Sequence, residues 1–165
     1  MSTKTKIIIN TVLVVLLVVA LVFVTLAIVF APVRVRGDSM LPNFENDQVV
    51  WMNQRTNRFE RGDVVILPSP TTGNINLIKR VVGVAGDVVH ITTQGRVYIN
   101  GYQVDETEYN IHFGNRVGGS VTNQFTQARV IEEGYLVVLG DNRPNSTDSR
   151  DFGAVAVTSV LGRVV

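Results

Sequence analysis

Residues 7–31 form an almost unbroken apolar run, opening Ile-Ile-Ile-Asn-Thr-Val-Leu-Val-Val-Leu-Leu and stopping at Pro32. A helix rises ~1.5 Å per residue, so this run spans more than the ~30 Å hydrocarbon core of a bilayer. Asn10 lies near its start, where interfacial water reaches it. A cleavable leader is the competing reading, but its apolar core would be ~7–15 residues and would close on small residues. This core is too long, and Pro32 follows it at once. The expectation is an uncleaved anchor over residues 7–31, a short cytoplasmic tail at 1–6 and a folded domain at 32–165. Charge leaves the orientation open. Lys4, Lys6 and the amino terminus flank one end, and Arg34 and Arg36 the other, so the positive-inside count is nearly tied.

Past Pro32 the pattern changes. Short runs rich in Val and Ile are separated by Gly, Pro, Asn and Asp, which predicts an all-β, mainly antiparallel domain. Strands are expected at 48–52, 63–67, 77–84, 88–92, 96–99, 102–104 and 135–139. Asn100-Gly101 is a hairpin signal, because both residues tolerate positive φ. No stretch after Pro32 has helical periodicity. Residues 110–127, with Gly114, Gly118 and Gly119, lack a pattern, and an insertion loop or small hairpin is expected within about 105–130. For Phe44, Trp51 and Met52 core packing is expected, with a lipid-facing surface as the alternative.

Composition excludes several kinds of chemistry. A net charge of +1 leaves no footprint for nucleic acid. The absence of cysteine removes thiol nucleophiles, disulfides and cysteine-ligated zinc. His90 and His112 have no ligand cluster around them, so no metal and no cofactor is expected.

Lys79 is the only lysine beyond residue 6; every later basic residue is arginine. Arginine stays charged at any working pH, whereas a lysine ammonium taken out of water can become a neutral base. Strand alternation puts Leu77 and Val81 on the face of Lys79, the apolar setting that lowers an amine pKa. Taken alone, Lys79 also fits a surface lysine on an edge strand. A candidate nucleophile, Ser39, lies in Gly37-Asp38-Ser39-Met40-Leu41-Pro42, which a plain turn would also explain. A dense polar run, Gly140 to Arg150, follows an apolar strand and reads either as a solvated loop or as one pinned by ion pairs. Together they compose a serine–lysine dyad with a supporting shell. A Ser-His-Asp triad would need His90 or His112, and neither stands out.

Four boxes occur in order behind the anchor: Gly-Asp-Ser-Met-Leu-Pro, Arg-Gly-Asp-Val-Val, Ile-Lys-Arg-Val-Val-Gly-Val-Ala-Gly-Asp and Gly-Asp-Asn-Arg-Pro-Asn-Ser-Thr-Asp-Ser-Arg. This order resembles bacterial type I signal peptidases over essentially the whole chain, in the compact Gram-positive-like form. The resemblance implies a membrane-anchored endopeptidase with Ser39 as acylating nucleophile and Lys79 as general base. It implies Ser146 as the hydroxyl that orients the lysine, Asp148 and Arg150 as a supporting ion pair, and Asp141 and Arg143 as members of the same loop. Met40 shapes the nucleophile box. Some members carry a serine two positions before the nucleophile that helps bind the oxyanion; Gly37 stands there, which leaves the Ser39 N–H as the expected donor. Val35, Arg36, Gly37, Asp38 and Met40 on one side, and Asn76, Leu77 and Ile78 on the other, would flank an extended substrate.

The implied partners are preproteins whose signal sequences end in an Ala-X-Ala-like pattern, and the bilayer itself. Signal sequences emerge on the trans side, so the domain is expected outside the cytoplasm. Two rival readings share part of this pattern. A self-cleaving repressor protease shares the dyad but carries a DNA-binding helix-turn-helix, where this chain has an anchor. A noncatalytic assembly or chaperone factor, for example in pilus biogenesis, typically loses the serine or the lysine, and both are present.

Overall fold

The structure, a computed structural model, describes residues 2–71, 75–115 and 123–165. The apolar run forms one helix, α1 (Thr3–Val29), long and apolar enough to cross a membrane and with no residue buried against the domain. The Thr11 and Thr25 hydroxyls bond the carbonyls of Ile7 and Leu21 at 3.0 and 2.8 Å, which satisfies them without water. The helix stops two residues earlier than expected. Phe30 and Ala31 already belong to a strand, β1 (Phe30–Arg34), and the Val29 carbonyl accepts the Gln54 N–H at 2.9 Å. Pro32 sits inside β1, which is tolerable because β1 is an edge strand.

The domain holds β2 (Val49–Asn53), β3 (Val64–Pro68), β4 (Asn76–Gly83), β5 (Val88–Ile91), β6 (Val97–Ile99), β7 (Tyr102–Gln103), β8 (Arg129–Val130) and β9 (Tyr135–Leu139). A single-turn helix, α2 (Ser149–Phe152), precedes β10 (Val155–Ala156) and β11 (Gly162–Val164). A seven-stranded sheet runs β1-β2-β11-β3-β4-β9-β10, and a four-stranded sheet runs β7-β6-β5-β8. These pairings are antiparallel, as expected. The seven expected strands are all present with ends shifted by a residue or two. Four were not foreseen: β1 looked like the end of the anchor, and β8, β10 and β11 are two or three residues long, too short to show a period. The same brevity hides α2. Asn100 and Gly101 take φ of 53° and 86°, the paired left-handed values of a tight hairpin turn.

Alternation along β3 explains how one strand serves two cores. Val64 and Ile66 pack with Val35, Met40, Val50, Met52 and Ile78, while Val65 and Leu67 pack with Val81, Leu136 and Val138. The smaller sheet covers Val82, Val137 and Leu139 with Val89, Ile91, Val97 and Ile99. Of the three uncertain apolar residues, Met52 is buried and Phe44 packs on the same core, but Trp51 is 54 % exposed. Core packing therefore fails for Trp51. It pairs with Pro32 of β1 and lines an apolar groove with Phe23, Leu26 and Phe30 near the C-terminal end of α1.

The expected insertion is described on either side of residues 116–122, so Gly118 and Gly119 lie outside the described residues. Its described part is tied to the domain. Thr107–Tyr109 form a 3-10 turn, and His112 makes an isolated parallel bridge to Asn142.

Candidate active site

β4 is the central support. Its Lys79 stands opposite Val65 of β3, and the residue is 2 % exposed. The Lys79 Nζ lies 2.7 Å from the Ser39 Oγ and 2.8 Å from the Ile78 carbonyl. Among the described residues no carboxylate forms an ion pair with it. Burial lowers the Lys79 pKa to about 8; the charges of Asp148 and Asp141 oppose that shift and Arg150 adds to it. An amine with that value is neutral in roughly one molecule in ten at pH 7, against about one in three thousand for a free lysine.

The nucleophile loop leaves β1 through Val35 and reverses in a turn closed by the Leu41 N–H on the Asp38 carbonyl at 3.2 Å. Met40 is fully buried and anchors the turn from below. Gly37 has φ of 81° and gives its N–H to Asn46 Oδ1 at 2.8 Å. A Cβ there would meet nothing within 4 Å, so backbone conformation rather than space disfavours a side chain at this position.

The polar run is not a solvated loop. Asp141, Arg143, Asp148, Ser149 and Arg150 are all buried. Asp148 and Arg150 make the expected ion pair at 2.8 Å, and Asp148 also accepts the Gly140 N–H at 3.1 Å. Burial pushes the Asp148 carboxyl up, yet its bonds and charge contact with Arg150, the Ser146 hydroxyl and the Gly140 N–H hold it below the usual carboxylate range. Ser146 is buried beside this carboxylate. A Cβ on Gly140 would collide with the Ser146 hydroxyl and would lie 2.5 Å from the Ser39 carbonyl. Glycine is therefore what lets the loop and the nucleophile turn touch.

Several partners went unnoticed in the sequence. Asp141 binds Arg80, the neighbour of Lys79, through two bonds of 2.8 and 2.6 Å, and accepts from Asn43 at 2.7 Å. Arg143 pairs with Glu106 at 2.5 Å and donates to the Gly95 carbonyl. Asn142 bonds the carbonyls on both sides of the nucleophile's peptide groups, Ser39 O through its N–H and Asp38 O through its side chain, each at 3.0 Å. Arg80 and Asn142 sat inside quoted boxes and were legible as neighbours of a candidate. Glu106 lies at the start of the expected insertion at about 105–130 and carried no signal.

Of the expected substrate-flanking residues, Val35 turns its side chain into the core, and both its backbone groups are already used by Gln48 and Asp47. Arg36, Gly37, Asp38 and Asn76 are exposed. Residues Asn76 to Lys79 pair with β3 on one side, and β9 pairs with β4 only from Arg80 onward. The other edge of that half-strand is open among the described residues.

A buried amine against a serine hydroxyl, braced by this loop, agrees with what sequence comparison finds. The sequence model of the family described as signal peptidase, peptidase S26, matches residues 8–165. The chain belongs to that family. It is 33 % identical to signal peptidase IB of Staphylococcus aureus over 162 residues, which covers 88 % of this chain and 83 % of the relative. It is 36 % identical to signal peptidase I S of Bacillus subtilis over 129 residues, 74 % of this chain and 67 % of that one. A crystal structure of a signal peptidase I from Enterococcus faecalis matches 66 % of this chain and 97 % of its own, with 30 % identity and a TM-score of 0.48.

Proposed function

We propose that this chain is a membrane-anchored serine endopeptidase that removes signal peptides from exported preproteins, with Ser39 and Lys79 as its catalytic dyad. The observation that carries the dyad is the 2.7 Å contact between a hydroxyl and a buried amine whose pKa has fallen to about 8. Neutral Lys79 takes the Ser39 proton as Oγ attacks the scissile carbonyl carbon. The tetrahedral oxyanion collapses, the C–N bond breaks, and Lys79 passes its proton to the leaving amine. Water then attacks the ester with Lys79 again as base, releasing the new carboxyl end and restoring the serine. The Ser39 N–H binds the oxyanion. The family pattern gives Ser146 the role of orienting the lysine; here its hydroxyl bonds Asp148, whose charge reaches Lys79, and the Asp148–Arg150 pair holds the loop that carries it.

The substrate lies extended between residues 35–38 and the open edge of residues 76–78, with small Ala-X-Ala-like side chains in shallow sites. Val35 supports that site from the core without facing the substrate, because its side chain is buried and its backbone is occupied. Since such substrates arrive through the bilayer, residues 1–6 lie in the cytoplasm, α1 spans the membrane, and residues 32–165 form the catalytic domain on the outer side.

The test is cleavage of a purified preprotein by the full chain in detergent. The parent should cut at a rate rising with pH to a midpoint near 8. Ser39→Ala and Lys79→Arg should fold yet lose at least about a thousandfold in rate, within the range expected when a positioned base is removed. A Lys79→Arg protein that cuts like the parent would defeat the base assignment, because arginine cannot give up its proton there.

A further inference from the structure

The fourth box contributes more than ion pairs. Asn142 donates from Nδ2 to the Asp38 carbonyl and from its backbone N–H to the Ser39 carbonyl, both at 3.0 Å. The Asp38–Ser39 peptide is trans, the one cis bond among the described residues being Leu41–Pro42. A trans peptide is planar, so its N–H points opposite to its C=O. Holding the Asp38 oxygen on the Asn142 side therefore aims the Ser39 N–H away from Asn142. Among the described residues that N–H meets no acceptor, so it is left available. The clamp itself is fixed: Asn142 is buried, its own neighbour Asp141 is locked to Arg80, and His112 bridges it from the other side.

We propose that Asn142 is a positioning residue for oxyanion stabilisation: by gripping the carbonyl before Ser39, it fixes the direction of the Ser39 N–H. This rests on the dyad reading above and deepens it. It also bears on Gly37, whose lack of a hydroxyl leaves more of the oxyanion's stabilisation to that single N–H. Preorganised donors matter because they need not turn toward the charge as it forms, and losing one oxyanion donor costs about 10²–10³ in rate. Misaiming one should cost less. The Leu41 N–H also holds the Asp38 oxygen, at 3.2 Å, so removal of the amide loosens the carbonyl, whereas an acceptor in its place repels it.

The experiment compares Asn142→Asp and Asn142→Ala in the full chain in detergent, with two readouts: preprotein cleavage kinetics, and the rate at which a fluorophosphonate labels Ser39. Asn142→Asp should lower kcat and the labelling rate together by about ten- to a hundredfold, and Asn142→Ala by about three- to tenfold. KM should stay where it is in the parent in both variants, and so should the midpoint of the pH–rate limb in Asn142→Ala. The new carboxylate of Asn142→Asp moves that limb toward base, so its kcat is read on the plateau. If Asn142→Asp does not fold, Asn142→Ala carries the same test. Rates within twofold of the parent on both readouts overturn the inference. So does a loss confined to KM, or a pH limb that moves in Asn142→Ala, which would mean that Asn142 acts through Lys79. A parent that is labelled but does not cleave preprotein refutes the substrate and leaves Asn142 to be judged on labelling. A parent that does neither removes the dyad and this inference with it.

Discussion

Lys79 and Arg80 are consecutive on β4, face opposite ways, and are both buried, yet their surroundings treat them oppositely. On the Arg80 side the guanidinium meets Asp141 through two bonds, the Gly62 carbonyl at 2.8 Å and the Tyr109 ring at 4.5 Å. Across β4 the Lys79 amine has, among the described residues, only a hydroxyl and a carbonyl. The same division runs through the whole centre: Arg143 takes Glu106 and Arg150 takes Asp148. Each buried arginine, which cannot discharge itself, is given a carboxylate. The buried lysine is denied one, and so it is the group that lets go of its proton.

The arginine half breaks most dramatically. Asp148→Asn keeps the shape of the side chain but strands Arg150, and removing one partner of a buried pair costs about 3–5 kcal/mol. Urea unfolding of the full chain in detergent should show that loss. Its folded pKa is depressed, so the stability Asp148 contributes is fully present above its unfolded value of about 4 and is lost as pH falls through the folded one. The gap between parent and variant should therefore close in acid. A gap that persisted unchanged to pH 2 would contradict the ion-pair account.

The lysine half predicts the reverse sign. Lys79 drops from 10.5 to about 8 on folding, so between those values the unfolded chain binds more protons and stability rises with pH. Below pH 8 the folded state carries the full penalty, roughly 3 kcal/mol. Lys79→Met removes the charge and keeps the bulk. It should be inactive and yet more stable than the parent at pH 7, by an amount approaching that figure and shrinking toward pH 10. A less stable Lys79→Met protein would mean that the amine is not strained by burial.

How much of this contrast could be read from the chain depended on how local the cause was. The anchor, seven strands and the Asn100-Gly101 turn are local, and alternation or turn chemistry exposed them. Lys79 announced itself through the choice of residue alone, a lysine in a domain otherwise using arginine. The Arg80–Asp141 pair spans 61 positions and Arg143–Glu106 spans 37, and no local pattern encodes who meets whom at that distance. That is why the polar run remained divided between a solvated loop and a pinned one until its partners appeared. β1 was hidden for a different reason: Phe30 and Ala31 suit a lipid-facing helix as well as an edge strand, and the change between them is made by pairing with β2.

A smaller effect sharpens the division between the halves. Asp141 serves Arg80, but its charge also raises the Lys79 pKa across the strand. Asp141→Asn removes that support for the ammonium, so Lys79 should lose its proton more readily and the pH–rate limb should move toward acid by under about one unit. The measurement is kcat/KM between pH 5 and 10, with Lys79→Arg as the zero. A limb that moves toward base would show that the carboxylate acts on Lys79 by geometry and not by charge.

The smallest effect comes from ion pairs outside this centre. Asp47 lies 4.0 Å from Arg34 and 3.8 Å from Arg36, with all three side chains more than half exposed. Water already solvates those charges, so little is gained by pairing them, and holding long side chains in one geometry has its own entropic cost. Asp47 has φ of 65°, a left-handed value that asparagine tolerates, so Asp47→Asn changes the charge without straining the turn. Its stability should stay within about 0.5 kcal/mol of the parent in urea unfolding at low salt, and the difference should vanish at 1 M salt. The same acid-to-amide change that strands Arg150 is then nearly silent at Asp47. If Asp47→Asn instead cost as much as Asp148→Asn, burial would not be what separates the two kinds of pair, and the account of why Lys79 alone discharges would lose its footing.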